Sequence, residues 1–404
     1  MGRLKIGIIG IGQRGRIWCR VLSKDWKEET EVVAVCDSYE DRVEKGIELV
    51  KERSGDIPKG YSDYRELLCD PNVEAVIISA AWEAHALIAV ESMRAKKITA
   101  LEVGGAYALD DCWELVRAYE ETKTPFFFME NCCYGERELL ATGLVRKGML
   151  GEVVYCHGSY CHDLREEIAY GFRNRHYRLR NYISRNCDNY PTHELGPIAK
   201  LLNINRGNRM LKLTSVSSKA CGLEEYVKTV DELQSLVGQR YKQGDVVHTL
   251  ITCADGSVIS MKLDTTLPRA YSRELLVSGS KGIYNEQGEV VLIDGTFNHE
   301  NNMRDYYNTA ENYKEYLPKM WREITQEERD AGHGGMDGLM LKAFIKAAKE
   351  GTEMPIDVYD AATWMAITCL TEASIAMGGA PVEIPDFTRG RWVMRAPKDV
   401  VEFD

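Results

Sequence analysis

No apolar run in this chain is long enough to cross a bilayer, since its hydrophobic segments are short and often interrupted. A transmembrane helix is therefore excluded. An excess of positive charge is missing too: 51 Lys and Arg stand against 62 Asp and Glu, for a net charge of −11. Nucleic acid and anionic lipid both select a basic face, so neither is expected as a partner. The 12 cysteines show no C-x-x-C spacing and no small-domain framework, and in a chain of this length they are expected to be reduced and mostly buried. There is no G-x-S-x-G elbow and no H-E-x-x-H helix, which leaves serine-hydrolase and zincin chemistry without support. Internal repeats and low-complexity segments are also lacking. The first strand begins at residue 4 with no leader pattern before it, and a cytoplasmic protein is the expectation.

What is present is an ordinary globular composition, 44% hydrophobic and 28% charged, over 404 residues, too many for one compact core. Two domains are expected. The stretch Leu4 to Gly15, LKIGIIGIGQRG, opens with a buried-strand pattern at Ile6, Ile8 and Ile9 and closes on Gly10, Gly12 and Gly15 in G-x-G-x-x-G spacing. Gly10 permits a tight turn, Gly12 lets backbone approach a pyrophosphate, and Gly15 lets the next helix pack closely on the strand. That helix starts near Gln13 and points its free N–H groups at the phosphates. A second strand, Glu31 to Cys36, ends on Asp37, about twenty residues beyond the last glycine, where a dinucleotide site places the acid for the adenosine ribose. A carboxylate there repels a ribose phosphate, so the cofactor is expected to be NAD rather than NADP.

Helices at 41–53 and 64–68, strands at 75–79 and 98–102, a helix at 109–122 and a strand at 125–130 continue the alternation of a doubly wound sheet. Trp82 and His85 follow the carboxyl end of the 75–79 strand, where ligands sit in open α/β sheets. His85 either meets the cofactor there or caps and packs its own helix start. Glu130 and Asn131 end the last strand. From Val153 the pattern changes to long alternating strands with turn signals at Asp255-Gly256 and Gly279-Ser280. The fold class is therefore α/β, with a Rossmann domain over 1–150. An α+β domain with a large open, mostly antiparallel or mixed sheet follows over 151–404, and its last helices (338–349, 359–377) return to the first domain.

The residues with chemical potential cluster in 172–199, FRNRHYRLRNYISRNCDNYPTHELGPIA. Taken plainly this is a solvated loop, with Thr192 or Asn189 capping the helix that follows. A loop so rich in donors and planar rings also suits a sugar, with hydroxyls to bind and ring faces to stack. Tyr190 and His193 are spaced to point together, and a histidine can exchange a proton with a hydroxyl. Cys156, His157, Cys161, His162 and Asp163 look like metal ligands, but on a strand Cys156, Tyr160 and His162 face one way while His157 and Cys161 face the other. No metal is expected.

The combination AAWEAH (80–85), EVGG (102–105), MENCCYGE (129–136), NYPTHELGP (189–197), LPRAYSRELLVSGSKG (267–282) and GHGGMDG (332–338) resembles the Gfo/Idh/MocA oxidoreductases over essentially the whole length. Within them it is similar to the NAD-dependent α-N-acetylgalactosaminidases of glycoside hydrolase family 109. The Tyr-Pro-Thr-His run and the absence of the lysine that sugar dehydrogenases carry in Glu-Lys-Pro at 102–104 are the specific signals. The resemblance implies that Glu130, Arg178 and Tyr271 bind substrate and that Tyr160, Tyr190 and His193 are catalytic. It implies that Gly10, Gly12, Gln13, Arg14, Gly15, Asp37, Trp82, His85, Glu102 and Asn131 hold a tightly bound, recycled NAD. The expected reaction is glycoside cleavage by transient oxidation at C3, elimination, water addition and re-reduction. A sugar 3-dehydrogenase that releases a keto-sugar is the alternative, and a non-catalytic sugar- or NAD-binding regulator the third. The expected partner is a small glycoside, and a homo-oligomer, dimer or tetramer, is expected through the open sheet.

Overall fold

A computed structural model describes residues 2–403. By contact the chain divides into two units, Met1–Met129 with Met340–Ala362, and Glu130–Leu339 with Thr363–Asp404. The change of pattern expected near 148–152 marks the first strand of the second sheet. The segment before it, from Glu130, already packs with the second unit, where Leu139, Leu140 and Leu144 are buried.

In the first unit, β1 (Leu4–Ile9), α1 (Gln13–Lys24), β2 (Thr30–Cys36), α2 (Glu40–Ser54), β3 (Lys59–Tyr61), α3 (Tyr64–Cys69), β4 (Ala75–Ile78), α4 (Trp82–Arg94), β5 (Ile98–Leu101), α5 (Leu109–Thr122) and β6 (Phe126–Phe128) alternate. The strands are all parallel, in the order β3-β2-β1-β4-β5-β6. Ile6, Ile8, Val76, Ile77 and Ile78 are fully buried, as strands covered on both faces must be, and each such side chain contributes about 1.5–3 kcal/mol. Helix α1 buries Gly15, Trp18, Cys19 and Leu22, one stripe at helical spacing, and packs on β1 and β2. The strand order reverses between β1 and β4, and the turn after β1 opens at that switch point.

The second unit holds α6 (Glu136–Arg146), β7 (Val153–Cys161), α7 (Arg165–Ala169), α8 (Gly171–Asn174), α9 (Arg178–Ser184), α10 (Thr192–Leu201), β8 (Met210–Ser217), α11 (Gly222–Lys228), β9 (Val246–Cys253) and β10 (Val258–Asp264). It continues with β11 (Leu276–Gly279), β12 (Gly282–Asn285), β13 (Val290–Ile293), α12 (Lys319–Arg322), α13 (Gln326–Asp330) and β14 (Val382–Glu383). Two long helices, α14 (Met336–Glu350) and α15 (Val358–Ala376), run through both segment boundaries. The sheet order is β13-β12-β11-β7-β10-β9-β8-β14, antiparallel except for β7 beside β10, and so mixed. Strand β9 shows the pattern most plainly: Val247, Thr249, Ile251 and Cys253 are buried, while His248, Leu250 and Thr252 face out.

Two local expectations are corrected. Half of the stretch 172–191 is helical, in α8 and α9, rather than a solvated loop, and its polar groups fold onto partners, as when Arg178 Nε meets Glu167 Oε1 at 2.6 Å. Neither Thr192 nor Asn189 caps α10. Pro191 takes the capping position, where a missing N–H costs nothing, Thr192 is the first helical residue, and Asn189 donates to Gln243 Oε1 at 3.1 Å.

Candidate functional site

Helix α10 lies unusually close to its neighbours because two positions lack side chains. A Cβ at Gly158 would stand 3.0 Å from Glu194 O and 2.9 Å from Ile198 Cδ1, and one at Gly196 would stand 2.8 Å from Glu130 Cγ. The first lets α10 press onto β7; the second seats it on the short 3-10 turn Asn131–Tyr134. Together these approaches bring His193 to Glu130, with Nδ1 2.7 Å from Oε1.

Glu130 is fully buried and also accepts from Cys132 N at 3.0 Å. Burial alone would push its carboxyl up, but the charge and hydrogen bond of His193, with help from Thr192 and the Cys132 N–H, hold it below the usual range. Tyr190 lies on the other side of the imidazole, ring centroids 4.7 Å apart, and Tyr160 stands 4.8 Å from Tyr190 and 5.3 Å from His193. The Arg178 guanidinium lies 5.0 Å over the Tyr190 ring. Tyr271, half exposed, closes the edge 6.3 Å from Tyr160, and its hydroxyl accepts from Arg273 Nη1 at 2.9 Å. All six residues expected to line a sugar site or act in it, Glu130, Tyr160, Arg178, Tyr190, His193 and Tyr271, thus converge within one unit.

A seventh was missed. The imidazole of His162 stands 5.1 Å from Tyr271, with Nδ1 3.2 Å from the Tyr160 hydroxyl. The i, i+2 alternation of β7, carried one residue past its end, was the available signal. Burial raises the Tyr160 phenol well above the ordinary tyrosine range, against the pull of Arg178, and burial lowers His162. The other members of the metal-like set go elsewhere: His157 contacts Ser260 and Glu274, and Asp163 pairs with Arg165. Glu130, Cys132 and His193 do bring ligand-type atoms within 4.8 Å of one another. Glu130 and His193 bond each other directly, and burial raises the Cys132 thiol.

The turn in the first unit fits a dinucleotide. Gly10 has φ +93°, and a Cβ there would lie 2.5 Å from Ala80 N; a Cβ at Gly15 would lie 1.9 Å from Gly10 O. At Gly12 nothing lies within 4 Å, so that backbone is open to a phosphate. Asp37, buried at the end of β2, accepts from Ile11 N at 2.8 Å and Tyr39 N at 3.0 Å. Gln13 is exposed at the helix start, and Arg14 Nε donates to Glu102 Oε1 at 2.8 Å, which also accepts from Trp18 Nε1. Trp82 lies against Gly104 so closely that a Cβ there would meet its ring at 2.4 Å, which accounts for glycine in EVGG. His85 Nε2 is bonded to Ala80 O at 3.0 Å, while its Nδ1 is buried without a protein partner, an orphan that a ligand would satisfy. Asn131 stands in the second unit, with Nδ2 donating to Asp337 Oδ1 at 2.8 Å; Asp337 Oδ2 is 2.8 Å from His333 Nδ1. The GHGGMDG motif thereby fixes the orientation of that amide.

A dinucleotide turn on one unit and a ring-and-donor cluster on the other define a nucleotide-dependent enzyme of carbohydrate chemistry. Residues 4–129 match the oxidoreductase family with an NAD-binding Rossmann fold, and residues 134–394 match the glycosyl hydrolase 109 C-terminal domain. A glycosyl hydrolase family 109 protein of Solibacter usitatus is 36% identical over 98% of this chain and 91% of its own length. An α-N-acetylgalactosaminidase of Tannerella forsythia is 33% identical over 98% of this chain and 88% of its own. The chain belongs to glycosyl hydrolase family 109 and is an NAD-dependent glycoside hydrolase. The fold is also that of levoglucosan dehydrogenase in complex with NADH and levoglucosan, with a TM-score of 0.69 and 18% identity over 95% of this chain and all of that one. Among the described residues, no helix is long and apolar enough to cross a membrane.

Proposed function

We propose that this chain cleaves N-acetylgalactosaminide-like glycosides by transient oxidation at C3, elimination across C1 and C2, addition of water and re-reduction, with NAD retained throughout. The observation that carries this reading is the ring cluster around the Glu130–His193 pair. Its carboxylates, Glu130 and Glu167, are tied to His193 and Arg178 rather than presented as the acid and base of an ordinary glycosidase. The Gly10 to Gly15 turn, Asp37, Trp82, His85, Glu102 and Asn131 would hold NAD, which would supply reversible hydride chemistry at C3.

The protein's own groups move the protons. With Nδ1 on the Glu130 carboxylate, His193 keeps Nε2 as a base for the C3 hydroxyl, a task Tyr190 can share. Oxidation at C3 makes the C2 hydrogen acidic, and Tyr160 or Tyr190 removes it. The Tyr160 hydroxyl lies 3.2 Å from His162 Nδ1, a contact that orients its ring beside Tyr190. Arg178 and Tyr271 hold the sugar, the guanidinium as hydroxyl donor and the phenol as an apolar face.

The test is to incubate the purified protein in D₂O, without added cofactor, with aryl glycosides of both anomers. Aglycone release with deuterium at C2 of the sugar is expected. Tyr190→Phe and His193→Ala are each expected to slow turnover by about 10²–10⁴-fold while NAD stays bound. Product free of deuterium removes the elimination route, and accumulation of NADH with a keto-sugar replaces it with a dehydrogenase.

A further inference from the structure

Two carboxyl groups bracket the turn that carries Tyr190 and His193. Asp188 is fully buried and Glu194 is 2% exposed. Asp188 Oδ2 and both oxygens of Glu194 are sealed from solvent without a donor to satisfy them. Two carboxylates are acceptors only, so an ionised pair would leave three buried oxygens orphaned and two like charges together in a low-dielectric interior. A single proton changes this, because it makes one acid a donor and the other its acceptor. We propose that Asp188 and Glu194 share one proton, that the resulting acid–carboxylate bond closes the 188–194 loop, and that the two are positioning residues which fix Tyr190 against His193.

The surroundings support this. Asp188 is pinned from α15, where its N–H donates to Thr371 Oγ1 at 3.0 Å and its carbonyl accepts from Thr368 Oγ1 at 2.8 Å. Its remaining oxygen, Oδ1, faces Tyr190 N at 3.4 Å. Glu194 sits in the first turn of α10 and faces β7, where Gly158 leaves room for it; besides Asp188, the Cys161 thiol acts on its charge. On the Asp188 side stands the buried Cys187 thiol, beyond which lie Arg185, Glu372 and Cys369. Next in sequence, His193 is turned away to Glu130. Burial pushes both carboxyls upward, the Asp188 charge pushes Glu194 further, and the bond between them favours the proton on Glu194. Removing that proton at alkaline pH sets two carboxylates against each other and releases the loop.

This inference rests on the catalytic reading of Tyr190 and His193, but its first readout needs no turnover. Infrared difference spectra of the full-length protein at neutral pH, wild type against Glu194→Gln and against Asp188→Asn, are expected to show a protonated carboxylic acid C=O band in the wild type that either substitution removes and that alkaline titration abolishes. A wild type without that band overturns the shared proton even if the glycosidase reading stands. For the positioning role, Glu194→Ala is expected to lower kcat about 100-fold with little change in KM, the cost of a misplacement on the order of 1 Å. Glu194→Gln, which can still donate to Asp188, is expected to recover most of kcat and to lose the alkaline fall in the pH profile. Wild-type kcat in Glu194→Ala, or an unchanged alkaline limb in Glu194→Gln, overturns it.

Discussion

Two glycines three residues apart make opposite demands, and substituting each with alanine separates folding from cofactor binding. Gly15 lies inside α1, where replacing glycine with alanine ordinarily stabilises a helix by about 1 kcal/mol. Here the added Cβ would stand 1.9 Å from Gly10 O and 3.1 Å from Ser79 Oγ, against ordinary carbon–oxygen contacts of about 3.3 Å. The obstructing oxygen is backbone and cannot swing away, since Gly10 O accepts from Ser79 Oγ at 2.8 Å and Gly10 itself turns at φ +93° against Ala80. Overpacking of about 3 kcal/mol or more therefore outweighs the helical gain and leaves a net loss of about 2 kcal/mol. Thermal unfolding is expected to shift down by roughly 4–8 °C. Gly12 is the control. With φ −75° and nothing within 4 Å of its Cβ, alanine there is expected to cost at most about 1 kcal/mol as a poorer helix cap, yet its methyl occupies the open approach to the pyrophosphate. The assay is Tm by calorimetry together with the NAD released per chain on denaturation. Gly15→Ala with wild-type Tm, or Gly12→Ala with a full complement of NAD, refutes the reasoning.

Two further expectations concern buried charge. Burial holds the His85 imidazole at about 4, below its value of about 6.5 in an unfolded chain. The unfolded state therefore binds more protons between those values, stability falls as pH drops from about 6.5 towards 4, and the loss reaches up to about 3 kcal/mol; His85→Gln is expected to flatten that limb in denaturant titrations at pH 7 and 4, and identical slopes would count against it. Arg273 Nε meets the Glu138 carboxylate at 2.6 Å with both side chains buried, so Arg273→Met, which strands that charge, is expected to lose about 3–5 kcal/mol, and Arg273→Met with Glu138→Gln to regain part of it. A double variant no better than the single would show that the ion pair is not the cause.

Much of the first unit is written locally. Ile6, Ile8, Gly10, Gly12, Gly15 and Asp37 follow one another at spacings dictated by a strand, a turn and a second strand, and such spacing survives in a linear reading. The second unit yields less, because its decisive contacts join distant positions: Glu130 meets His193, and Asp188 is anchored by Thr368 and Thr371. Resemblance supplied the members of the ring cluster, while packing at Gly158 and Gly196 supplied the reason they meet. The arginine-rich stretch read as a loop because α8 and α9, of 4 and 7 residues, are too short for helical periodicity to emerge. His162 was visible by strand alternation beside Tyr160 but was weighed only as a metal ligand. The pairing of Asp188 with Glu194 could not be read, since nothing in either residue type announces burial.

The edge of the first sheet is finished from far down the chain. Phe128 N on β6 donates to Ile356 O at 3.0 Å, and Phe127 stacks on Phe344 with ring centroids 5.6 Å apart. During synthesis the Rossmann strands emerge first, yet this flank stays bare until almost the entire polypeptide has left the ribosome. An uncapped β margin is adhesive, so the nascent chain spends most of its translation with a sticky border exposed. Fragments ending before Ile356 would inherit that hazard permanently, and the order of assembly, as much as the final packing, is a constraint this architecture places on its own biogenesis.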